Sequence, residues 1–148
     1  MLKLLVADDE RILREAVCYL IDWKSIGIEL AASCKNGREA YEEACRTKPD
    51  IILTDIKMPG LSGLDLVEKL SEPGRVLEFI LLTGYADFEY AHRALSHRVH
   101  HYLLKPCNEQ QIIEAVQQAA QSIYTRRQLQ QMEPTCAGVA RPEYSETV

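Results

Sequence analysis

The chain has 148 residues, 47% of them hydrophobic, which is enough for one domain with a proper core and fits a folded globular protein rather than a disordered one. Its formal net charge of −5 offers no electrostatic footprint for nucleic acid, and no apolar run approaches the ~18 residues of a membrane span. The five cysteines are odd in number and lack CxxC spacing, so they read as reduced thiols of a cytoplasmic protein, and the apolar start is too short for a signal-peptide core.

Five apolar runs alternate with five helical patterns. Leu2–Ala7 reads as the first strand. A helix follows, with Leu13, Ala16, Val17, Leu20 and Ile21 on one face at helical spacing. In Ile28–Cys34, apolar Ile28, Leu30 and Ala32 alternate with Glu29 and Ser33, which predicts an edge strand with one wet face. Asn36, with Glu39 three residues on, starts the second helix as an N-cap. Pro49 and Asp50 break before the third strand, Ile51 to Thr54. Ser62 caps a helix that turns Leu66, Val67 and Leu70 inward, and Pro73 with Gly74 stops it. The fourth strand, Phe79 to Leu82, leads to a helix starting near Asp87 with Phe88, Ala91 and Leu95 on one face. The fifth strand carries Tyr102, Leu103 and Leu104. Asn108 with Gln111 opens the last helix, which presents Ile112, Val116, Ala119 and Ile123. Periodicity fades after Arg127, and Pro134 is expected to end any helix.

Strands alternating with helices imply parallel pairing and right-handed crossovers, with the solid apolar third and fourth strands in the centre. In such a sheet the carboxyl ends of the strands line the functional crevice. Asp8 and Asp9 follow the first strand, Asp55 the third, Thr83 the fourth and Lys105 the fifth. Three converging carboxylates repel one another, and a hard divalent cation, Mg²⁺ above all, relieves the conflict while leaving a position for a phosphoryl oxygen. A carboxylate nucleophile, a metal, a hydroxyl donor and a cation together suit phosphoryl transfer onto Asp55. Taken singly, an acid pair is an ordinary solvated turn, a Lys-Pro step an ordinary strand exit and Thr83 mere β-propensity. All five at equivalent strand ends are not.

With these pieces in order, the chain resembles the receiver domain of bacterial two-component response regulators. Four segments carry the resemblance: Val6 to Glu10, Leu53 to Gly60, Leu82 to Gly84, and Tyr102 to Pro106. It covers residues 3–123. Residues 20–23 and 83–91 further resemble receivers attached to AraC-type DNA-binding domains. The resemblance implies a flavodoxin-like, doubly wound α/β fold, (βα)5, with a five-stranded parallel sheet in the order 2-1-3-4-5. It implies a receiver domain over residues 1–125 and a C-terminal tail or truncated linker over 126–148. Asp55 would be the phosphoacceptor, served by a sensor histidine kinase. Mg²⁺ would be held by Asp8, Asp9, Asp55 and the backbone carbonyl of Lys57. Thr83 and Lys105 would bind the new phosphoryl group, and Lys105-Pro106 would be a cis peptide. Thr83 would also be a switch residue. Tyr102 reads either as plain core or as the family's aromatic switch. The chain would be a signalling domain that catalyses only its own phosphorylation and dephosphorylation. Its output would be transcription through a DNA-binding domain absent from this chain, with no membrane contact. Homodimerisation would use the fourth helix, fifth strand and fifth helix.

Competing chemistries fit less well. A nucleotide or flavin binder of similar architecture needs a Gly-, Ser- or Thr-rich first loop, whereas Asp8, Asp9 and Glu10 repel phosphate unless a metal intervenes. A haloacid-dehalogenase-type phosphatase places its acids at alternate positions after the first strand. The remaining rival is a receiver fold that serves only as a protein-binding module. One stretch departs from the family. Arg98 stands where a helix-ending glycine is common, and His100 and His101 stand where acids are frequent. A metal site from His97, His100 and His101 is disfavoured because neighbours on a strand point to opposite faces, so exposed polar residues are the expectation.

Overall fold

The computed structural model describes residues 1–71, 75–84, 99 and 101–136, with side chains to residue 130. Strands β1 (Leu2–Ala7), β2 (Ile28–Cys34), β3 (Ile51–Asp55), β4 (Glu78–Thr83) and β5 (His101–Leu104) form one sheet in the order β2-β1-β3-β4-β5. Every neighbouring pair is parallel. Helices α1 (Arg11–Tyr19), α2 (Gly37–Thr47), α3 (Gly63–Leu70) and α4 (Glu109–Cys136) flank it. This is the doubly wound sheet implied by the strand-helix alternation.

Side chains along a strand alternate between faces, and the two cores follow that alternation. Leu5, Ile52 and Leu81 pack with Ala40 and Ala44 of α2 and Leu66 and Val67 of α3. Leu4, Val6, Leu53 and Ile80 pack on the other face with Val17 of α1 and Ile112, Val116, Ala119 and Ile123 of α4. Leu4, Leu5, Ile52, Leu53 and Ile80 are fully buried. Truncating such a side chain to Ala typically costs about 2–5 kcal/mol. The helices start as their sequences indicate. Asn36 accepts the Glu39 amide at 2.8 Å, Ser62 and Asp65 form a reciprocal capping box, and Asn108 and Gln111 exchange two 2.9 Å bonds.

Four sequence expectations need correction. In β2 the register slips between Leu4 and Leu5, where Leu4 faces Leu30 but Leu5 faces Ala32. The extra residue, Ala31, is a bulge that reverses the strand's faces. Ile28 and Leu30 therefore join one core, and Ala32 and Cys34 the other. In α1 the helix ends at Tyr19, so Leu20 is exposed, while Ile21 and Trp23 turn back to be buried. The Trp23 indole donates to the Val17 carbonyl at 3.0 Å and fixes that return. His101 is not an exposed polar residue: its side chain is mostly buried, with Nε2 3.3 Å from the Glu78 carboxylate. Finally, α4 continues past Pro134 to Cys136. Pro134 has no amide to donate back along the helix, but it falls in the last turn, so only the helix end bears that loss, and the Gln-, Arg- and Leu-rich run before it has good helix propensity. The helix expected near Asp87, the Pro73-Gly74 stop, and His97 and His100 lie outside the described residues.

Candidate functional site

The register of the sheet brings the strand-end residues together. Ala7 pairs with Thr54, Asp55 with Leu82, and Thr83 with Leu104. The chain exits reinforce this line: the Asp8 amide donates to the Cys34 carbonyl at 3.0 Å and the Lys105 amide to the Thr83 carbonyl at 2.7 Å. Asp8, Asp55, Thr83 and Lys105 thus emerge from four adjacent strands. Lys105-Pro106 is cis. Gly63, at the start of α3, lies so close to β3 that a Cβ there would sit 2.4 Å from the Asp55 carbonyl. Its amide donates to the Ile56 carbonyl at 2.7 Å. Only glycine allows α3 to begin that near the acidic residue.

Asp8, Asp9 and Asp55 each bring a carboxylate oxygen to within 4.8 Å of the others. Asp8 and Asp55 are buried and Asp9 is exposed. Lys105 enters this cluster with Nζ 3.0 Å from Asp55, 3.3 Å from Asp8 and 3.1 Å from Glu10. Lys105 contacts three of the four acids at this end, so negative charge is in excess there. Burial pushes the Asp55 carboxyl above its ordinary value; Lys105 and the Lys57 amide oppose this, and Asp9 adds to it. Burial also raises Asp8, partly offset by the Glu10 amide and Lys105. Burial alone would lower Lys105, but the carboxylates of Asp55 and Asp8 outweigh it and hold the ammonium charged. Two carboxylates destabilised by desolvation beside a third exposed one match a small hard cation, which favours oxygen ligands and keeps several waters. An open cleft of about 560 Å³ adjoins them, lined by Asp9, Lys57, Met58 and Ser62 among others.

Thr83 is buried, and its hydroxyl donates to the Gly84 carbonyl at 3.1 Å. Tyr102, beside Leu81 on the edge strand, is 44% exposed, so it is not plain core. Two residues of this end were given no role in the site from the sequence. Glu10 shares Lys105, and Arg14 donates from Nη1 to the Asp8 carbonyl at 2.7 Å. Glu10 directly follows the acid pair, which is a usable signal. Arg14 becomes visible only once α1 is built.

The sequence profile described as the response regulator receiver domain matches residues 4–117. Over 118 residues the chain is 48% identical to a transcriptional regulatory protein, YesN, of Bacillus subtilis, covering 80% of this chain and 32% of that one. It is 35% identical to the transcriptional regulatory protein HptR of Staphylococcus aureus, over 76% of this chain and 44% of that one. The chain thus spans less than half the length of these relatives. Among solved structures, the REC domain of AraT, a response regulator from Geobacillus stearothermophilus, superposes with a TM-score of 0.79 at 36% identity, covering 85% of this chain and 98% of that one. A two-component transcriptional regulator AraC from Clostridium phytofermentans also gives 0.79, at 28% identity, covering 86% and 98%. The chain belongs to the response regulator receiver domain family.

Proposed function

From that membership and the charge balance of the site, we propose that the chain is a phosphorylation-controlled switch whose acceptor is Asp55. The observation that carries the reading is the 3.0 Å contact between Lys105 Nζ and Asp55 inside a cluster with surplus negative charge. An Asp55 oxygen attacks the phosphorus of a phosphohistidine on a sensor histidine kinase. The P–N bond breaks, its electron pair stays on the imidazole, and an aspartyl phosphate forms. Asp8, Asp9, Asp55 and the Lys57 carbonyl would hold Mg²⁺. When bound, it neutralises charge on the phosphoryl oxygens. Lys105 already touches the acceptor carboxylate and follows the charge onto the phosphoryl group. Thr83 exchanges its bond to the Gly84 carbonyl for one to a phosphoryl oxygen. Two hydrogen bonds to charged groups contribute about 3–6 kcal/mol. Moving a two-state switch from 1:99 to 99:1 takes about 5.5 kcal/mol.

Tyr102 is the second switch residue in this reading. Residues 1–125 form the receiver and 126–148 its tail or linker. Output is transcriptional, in the cytoplasm, through a DNA-binding domain outside this chain. Homodimerisation uses the face made by the helix expected near Asp87, β5 and the last helix, α4. The names of the relatives support the transcriptional part, and the residues of the site support the phosphorylation. Incubation with acetyl phosphate and Mg²⁺ should add one phosphoryl mass to the intact protein, and Asp55→Asn should take up none. Equal incorporation by the Asn variant would reject the acceptor assignment. Absence of incorporation by either would favour a binding module that phosphate does not switch.

A further inference from the structure

We propose that Arg14 is a positioning residue for the acidic site, setting cation affinity through the backbone rather than through its charge. The inference rests on the Mg²⁺ reading above. α1 begins without a side-chain cap, although Glu10 occupies the capping position. The Glu10 carboxylate is drawn to Lys105 instead. The turn that carries Asp8 and Asp9 is therefore held by other bonds. The Asp8 amide donates to the Cys34 carbonyl, and Asp8 Oδ1 accepts the Glu10 amide at 2.9 Å. The third bond is Arg14 Nη1 to the Asp8 carbonyl at 2.7 Å. Arg14 is half-buried on the first turn of α1 and reaches back over that turn. It is the one side chain of the three contacts that is not itself a site acid, and it grips the peptide that joins Asp8 to Asp9. It fixes where both carboxylates point without forming an ion pair with either.

Charge and position predict opposite signs. A guanidinium beside a cation site repels Mg²⁺, so on charge alone its removal tightens binding. A lost hydrogen bond that orients two ligands weakens it. One such bond, worth about 1 kcal/mol, corresponds to about a fivefold change in affinity.

The test is a calorimetric Mg²⁺ titration of the full chain as wild type, Arg14→Lys and Arg14→Met, with thermal midpoints and exchange rates of the Asp9 and Glu10 amides. Arg14→Met should raise the Mg²⁺ Kd about fivefold and speed exchange at both amides. Arg14→Lys keeps a donor and should stay within about twofold of wild type. A lower melting midpoint with unchanged Mg²⁺ affinity would mark a merely structural role and overturn the proposal, as would tighter binding. If Arg14→Met does not fold, Arg14→Gln, whose amide is too short to reach the carbonyl, replaces it with the same expected loss. A wild type that binds no Mg²⁺ rejects the metal reading itself. A wild type that binds it while neither variant weakens it rejects only the role of Arg14.

Discussion

The two ends of the sheet treat their acids in opposite ways. At the carboxyl ends of the strands, Asp8, Glu10 and Asp55 share Lys105, and the Asp9 carboxylate joins those of Asp8 and Asp55 in one cluster. At the amino ends, Asp50 and Glu78 each have an arginine of α4: Arg127 pairs with Asp50 and Arg126 with Glu78. Asp50 also accepts the Lys3 amide at 2.8 Å, and His101 lies against Glu78. Acids matched one to one serve the fold, because the pairing offsets the desolvation of a carboxylate such as Glu78, which is only 3% exposed. Acids left in excess work against it unless a ligand arrives. The surplus therefore marks the carboxyl end as the candidate ligand site.

Substitutions at the two ends should move stability in opposite directions. The largest effect belongs to the amino end. Arg126→Met strips the buried Glu78 carboxylate of its guanidinium; because Arg126 itself is 38% exposed, the cost in urea unfolding should lie below that of a fully buried pair, on the order of 2 kcal/mol. A loss below ~1 kcal/mol would mean that His101 and its surroundings suffice. At the carboxyl end the sign reverses. Asp8→Asn keeps an acceptor for the Glu10 amide but removes a repelling charge, so the metal-free protein should melt a few degrees higher. It should also lose most of the thermal shift that Mg²⁺ gives the wild type. A lower midpoint would place Asp8 among the matched acids.

The pH dependence follows from the same surplus. Asp8 and Asp55 titrate above their ordinary value in the folded chain, chiefly through burial. The folded state then holds more protons than the unfolded one between the ordinary carboxyl range and the raised one. Their favourable contribution is complete below the ordinary value and is lost as pH rises through the raised one. Metal-free protein should therefore gain stability from these groups as pH falls into that window. Saturating Mg²⁺ should flatten the gain, since bound metal keeps both carboxylates ionised; chemical denaturation across pH with and without Mg²⁺ reads this directly. The smallest expected effect is Arg127→Gln. Its side chain is 42% exposed in the Asp50 pair, and such pairs contribute about 0–1 kcal/mol.

The residues most legible in the sequence are those whose meaning is local. Each strand-end acid is announced by the apolar run before it, and Asn36, Ser62 and Asn108 announce the helix starts. The strand order follows from alternation together with the family resemblance. What stayed hidden depends on distance along the chain. Glu78 reads as polar padding before a strand until α4 returns, 48 residues later, with Arg126. His101 looked exposed for the same reason. The bulge at Ala31 was invisible because Leu30, Ala31 and Ala32 are all apolar enough for either face. Leu20 fitted a helical stripe, but the stripe outlasted the helix. Arg14 carries no motif, since its partner is a backbone carbonyl.

The length of α4 has a mechanical consequence. Its apolar anchoring ends at Ile123 and the arginine pair follows at Arg126 and Arg127, yet the helix runs to Cys136. At about 1.5 Å per residue, the axis extends roughly 13 Å beyond Arg127. A rigid rod held at its base converts angle into displacement. A tilt of about 5° at the arginines would carry the far end sideways by roughly 1 Å, an arm set by helical rise alone. Lengthening or shortening the segment after Arg127 would scale that excursion in proportion, and each inserted residue would also swing the emerging chain by about 100° around the axis.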